Sequence, residues 1–101
     1  MKVRVYFCNE PDIRSAILRN DKIGRQALET IYNLVWECEF KNIINAGRIW
    51  LKFIEEEKSP FGVSLRKKRD HNKIASADII QVGNDFYMVH KVGVREIEVT
   101  D

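Results

Sequence analysis

The chain has 101 residues, with 17 Lys and Arg against 15 Asp and Glu; this is the length of one domain, residues 1–101, able to bury a core without metal or disulfide. It holds no apolar run of the ~18 residues that a membrane span requires, and its opening residues alternate instead of forming the apolar stretch of a signal peptide. Those features exclude a membrane role and set a cytoplasmic location as the expectation. Cys8 and Cys38 belong to no CxxC pair, so both are expected as reduced, structural thiols.

In chain order, KVRVYFC at residues 2–8 alternates Val3, Val5 and Phe7 with Arg4 and Tyr6, which predicts a half-buried strand. Pro11 and Asp12 end it. A short helix over 12–20 follows, capped by Asp12. From Asp21 to about Phe40, apolar residues at Ile23, Ala27, Leu28, Ile31, Leu34, Val35 and Cys38 fall three and four apart, the spacing of an amphipathic helix. A second amphipathic helix is predicted with Ile43, Ile44, Gly47, Trp50, Leu51 and Ile54 on its inner face. It ends near Lys58, ahead of the helix-breaking Pro60. Trp36 and Trp50 are expected to pack in the core or between helices.

The last quarter reads as β. Ala77 to Val82, Phe86 to His90 and Val94 to Val99 make three strands, with Gly83 and Asn84 supplying a hairpin turn. The predicted fold class is α+β: an N-terminal strand, two amphipathic helices and a C-terminal three-stranded antiparallel meander that curls into a partly barrel-like wall.

Charge is distributed unevenly. Residues 1–57 balance nine basic against nine acidic side chains, and residues 58–73 carry six basic residues against Asp70 alone, a net +5. Residues 74–101 carry two basic against five acidic, a net −3. Arg66, Lys67, Lys68, Arg69 and Lys73 therefore form a basic loop suited to phosphates of DNA or RNA, or to an acidic protein surface. A solvated or internally paired loop is the plain alternative. Glu55, Glu56 and Glu57 close the second helix, where acids oppose the helix dipole; they form a candidate partner-contact ridge.

Chemistry has little to stand on. Cys8, Cys38, His71 and His90 show no chelating spacing, and the chain has no phosphate-binding glycine motif. A nucleophile at Cys8 with a histidine base would need convergence that the spacing does not suggest; His90 is expected as a satisfied structural histidine. No metal, cofactor or catalytic set is predicted.

The stretch IASADIIQVGNDFYMVHKVGVREI resembles the C-terminal pattern of YodL-like proteins of phages and plasmids, with Ser76, Asp78, Ile79, Ile80, Val82, Gly83, Tyr87, Val89 and Gly93 in matching places. The upstream QALETIYNLVWE, with Ala27, Glu29 and Tyr32, is similar to the helix that precedes that pattern. Ala77 stands where the pattern has Val-Gly, and Val94 where it closes on an aromatic residue. The resemblance implies a mobile-element origin and a non-catalytic adaptor or inhibitor. Ser76 and Asp78 read as side chains that tie down a strand start through backbone hydrogen bonds. Two functions follow as expectations: a module that binds a host protein or regulatory complex through the sheet face, the glutamate ridge or the basic loop, and a nucleic-acid-binding protein that uses the basic loop.

Overall fold

The computed structural model describes residues 1–66 and 73–100. The elements in order are β1 (Lys2–Cys8), a 3-10 turn (Pro11–Ile13), α1 (Arg14–Leu18), β2 (Lys22–Gly24), α2 (Arg25–Thr30), β3 (Tyr32–Glu39), α3 (Ala46–Glu55), a second 3-10 turn (Pro60–Gly62), β4 (Ile79–Val82), β5 (Asp85–Val89) and β6 (Val94–Thr100). The six strands form one mixed sheet in the order β2-β6-β5-β4-β1-β3. All neighbours are antiparallel except β2 and β6. The meander is therefore present, but the sheet stays open and does not curl into a barrel wall.

Alternation along the strands sends side chains to two separate cores, as the period of two requires. One face carries Val3, Val5, Phe7, Trp36, Ile80, Val82 and Val89 against Ala46, Ile49 and Phe53 of α3. The other carries Cys8, Tyr32, Ile79, Phe86, Met88 and Ile97 against Leu28 of α2, with Ile17 and Leu18 of α1 packed at its margin. Two helical layers thus flank a thin sheet.

The predicted helix from Asp21 to Phe40 is corrected. Only Arg25–Thr30 is helical, and Tyr32–Glu39 is a strand along the edge of β1. The cause is a bulge: Val5 faces Trp36 while Tyr6 faces Leu34, so Val35 is an extra residue on β3. Two consecutive apolar residues, Val35 and Trp36, then enter the α3-side core. A bulge breaks the period of two, and the resulting spacing of Ile31, Leu34, Val35 and Cys38 imitates a helical stripe. Ile31, Tyr32, Val35 and Trp36 are residue types that prefer a pleated surface.

Two smaller corrections concern the helices. Asp12 caps nothing: α1 follows the 3-10 turn with Ile13 at its N-cap position and no side-chain cap bond. In α3 the buried positions are Ala46, Ile49 and Phe53. Leu51 and Ile54, assigned to the inner face from the sequence, are 52% and 41% exposed. Trp36 is fully buried and Trp50 is half-buried against the same core, so both pack as expected.

Candidate protein-contact face on α3

Helix α3 begins with an N-cap whose chemistry is local: the Asn45 side chain accepts a hydrogen bond from the Arg48 backbone N–H at 2.8 Å, which satisfies one of the first-turn amides. With Ala46, Ile49 and Phe53 turned inward, the spacing of three and four places Arg48, Leu51 and Glu55 together on the outer side. These three line one groove with Lys52 and Phe61. A second groove beside it is lined by Phe40, Lys41, Ile43, Ile44, Arg48 and Phe61, among others. Ile43 is 88% exposed.

Phe61 divides the two grooves and has φ of +56°, a region that bulky residues avoid. Its ring is held edge-on to Phe40 at 5.2 Å between centroids and packs on Trp36 at 6.2 Å. The Lys52 ammonium lies 5.9 Å from the ring centre and also pairs with Glu56 at 3.2 Å and Glu55 at 3.9 Å. Lys52 is thereby drawn down beside the helix, which leaves Leu51 prominent. The Arg48 guanidinium has no hydrogen-bond or ion-pair partner among the described residues.

The basic loop is only partly within the described residues. Lys67, Lys68 and Arg69 lie outside them, as does His71. Arg66 is exposed, and its backbone N–H donates to the Val35 carbonyl at 2.6 Å, fixing the start of the loop to the β3 edge. Lys73, at the far end, sits 3.6 Å from a Glu57 carboxylate oxygen. One member of the basic loop and one of the glutamate ridge are thus paired with each other, while Glu55 and Glu56 share Lys52.

On the opposite side of the sheet a polar groove lies between β2 and the β5–β6 hairpin, lined by Lys22, Arg25, Asp85 and Phe86 among others. Two ion pairs lie along it: Arg95 meets Asp21 at 3.1 Å and Lys22 meets Glu98 at 3.8 Å. Elsewhere on the sheet surface Arg4 donates to Glu37 at 2.6 Å. That bond holds the Glu37 carboxyl below its ordinary range, with Lys2 and Arg66 adding to the effect.

Asp78 is fully buried at the start of β4. Its two carboxylate oxygens accept from the Cys8 N–H at 2.9 Å and the Ala75 N–H at 2.7 Å, and Arg14 approaches at 3.7 Å. Arg14 also donates to the Ser76 and Cys8 carbonyls. The Tyr32 hydroxyl donates to the Ala77 carbonyl at 2.6 Å. Asp78 therefore does the tying expected of it; among the described residues Ser76 contributes its carbonyl and not its side chain. Ala77, where the resembled pattern has glycine, has φ of +76°.

Cys8 is buried, and its thiol donates to the Glu10 carbonyl at 3.6 Å. His90 is not the satisfied histidine expected, because its buried Nε2 has no hydrogen-bond partner among the described residues. Among the described residues no three His, Cys, Asp or Glu side chains converge as metal ligands, and no helix is long and apolar enough to cross a membrane. Sequence reasoning missed Arg48 and Leu51, although α3 holds more apolar residues than one buried stripe can use. Comparison with protein-family models, curated proteins and solved structures gives no match.

Proposed function

We propose that this chain is a small non-catalytic module that binds another protein, and that the outer face of α3 with the adjoining Phe40–Asn45 segment is its contact surface. The carrying observation is the exposure of Ile43 and Leu51 in two grooves that share Phe61, beside Arg48, whose guanidinium has no partner among the described residues. Clustered exposed apolar side chains rimmed by charge are the usual mark of a protein interface. The sheet edges suit a partner less well. Part of β3 is covered by the bond from Arg66, and β2 is three residues long, both ways in which edges are kept from pairing. The resemblance to YodL-like proteins supports an adaptor or inhibitor that acts on a host protein. Pairing of Lys73 with Glu57 weakens the nucleic-acid reading, since a cation already paired releases fewer counterions on binding phosphate.

The test is capture from a nuclease-treated host lysate on wild type and on Leu51→Asp, followed by rebinding of the purified captured protein. The expected result is a protein that binds wild type at least about tenfold more tightly than the variant, the scale of losing one interface anchor. Equal binding to both would remove α3 from the interface. Binding of labelled oligonucleotides with a log–log salt slope near about −3, lost on joint replacement of Arg66, Lys67, Lys68 and Arg69 by Gln, would establish the nucleic-acid function instead.

A further inference from the structure

The outer face of α3 is self-complementary. Along one stripe it presents a cation, Arg48, then an apolar residue, Leu51, then an anion, Glu55. We infer that α3 pairs antiparallel with α3 of a second copy of this chain, with Leu51 against its own copy near the two-fold axis and Arg48 against Glu55 of the other copy. This rests on the reading of α3 as a protein-contact face and names the partner for that face.

Three observations carry it. First, Arg48 and Glu55 lie seven residues apart, about 10.5 Å along the helix, too far for good contact within one chain. Arg48 has no partner of its own among the described residues. Second, an antiparallel pair centred at Leu51 brings each Arg48 level with the other copy's Glu55, because the two residues are nearly equidistant from that centre. An isologous interface requires this reciprocity. Third, Glu55, Glu56 and Glu57 crowd the C-terminal end of α3, where the helix dipole disfavours acids, and Lys52 serves both Glu55 and Glu56. A second copy would bring Arg48, with Lys41 nearby, to that end, and antiparallel helices also align their dipoles favourably. Lys52 does not obstruct the axis, because it is folded over the Phe61 ring.

The helix has ten residues, so the shared surface is about 15 Å long. That places it among small interfaces, and the dimer should dissociate at micromolar concentrations and weaken with added salt.

The experiment is sedimentation equilibrium of wild type, Arg48→Glu, Glu55→Arg and an equimolar mixture of the two variants, each checked for its fold by circular dichroism. Wild type should dimerise with rising concentration. Each variant alone opposes like charges twice across the axis and should dimerise at least about tenfold more weakly. The mixture should regain wild-type association as heterodimers. In these the acid introduced at position 48 of one copy meets the base introduced at position 55 of the other, and the second pair is native. A merely structural role for either side chain would not produce rescue on mixing. A wild type that stays monomeric, a variant that dimerises like wild type, or a mixture that stays monomeric would each overturn the inference. If wild type is monomeric but a captured protein still discriminates against Leu51→Asp, self-pairing falls and the contact face stands; if neither occurs, both fall.

Discussion

Asp78 engages two backbone amides and Arg14 at the point where β4 begins, and it links that strand to the end of β1. Removing it would strand a partly buried guanidinium and orphan the Cys8 and Ala75 amides. Asp78→Ala should therefore cost about 3–5 kcal/mol, measured by urea denaturation. Asp78→Asn, which keeps one acceptor, should cost less. Tyr32 supplies the neighbouring pin to Ala77, and burial pushes its phenol pKa above the ordinary value of 10.0. A raised folded-state pKa in an acid means that the neutral form is favoured by folding. The stability it contributes is thus complete below about pH 10 and is lost as pH rises beyond that value. Tyr32→Phe should lower stability at neutral pH by about 1 kcal/mol through the lost hydrogen bond, yet flatten the alkaline decline. Denaturation midpoints across pH 7 to about 11 decide this; an unchanged alkaline slope would contradict it. The tying role of Asp78 was legible in the sequence because an acid before an apolar run has a local use. Arg14 was not, since its three contacts join segments far apart in the chain.

At the scale of elements, the sequence made β1 and the meander plain and misrepresented β3. Strand β1 alternates, and β4, β5 and β6 are short β-prone runs separated by the turns at Gly83 and Gly93, so local pattern and tertiary position agree. In β3 the bulge at Val35 is set by pairing with β1, which is far away in sequence, and it sends Val35 and Trp36 together into the core under α3. Its helical stripe is the visible trace of a tertiary feature. The segment's apolar spacing and its native state therefore conflict, and that conflict is measurable. A peptide covering residues 21–40 should become helical by circular dichroism in trifluoroethanol, whereas in the intact chain the amides of β3 paired with β1 should exchange slowly. A peptide that stays unstructured in alcohol would show that the apolar spacing carries no helical preference. The inner and outer faces of α3 were confused for a different reason. Trp50, Leu51, Phe53 and Ile54 are apolar on nearly all sides of the helix, and periodicity alone cannot say which side meets the sheet. The surplus was itself the signal, because a surface helix with one buried stripe does not need a second.

For the whole molecule, the near balance of charge conceals local assignments that only folding reveals. The glutamate ridge and the basic loop, separate features in the sequence, meet at Glu57 and Lys73. The polar groove beside β2 carries two ion pairs of its own. The outer stripe of α3 keeps Leu51 exposed between Arg48 and Glu55, with Ile43 and Ile54 also exposed. The open sheet has one edge strand of three residues and the other partly covered by the bond from Arg66, which is why the contact face is proposed on the helical layer. The most direct test is an amide chemical-shift map of the intact chain across a concentration series. Self-pairing through α3 predicts progressive shifts confined to Ile43, Ile44 and the outer residues of α3 from Arg48 to Glu55, reversed by Leu51→Asp. Shifts along β3 or β6 instead, or none at any concentration, would contradict it.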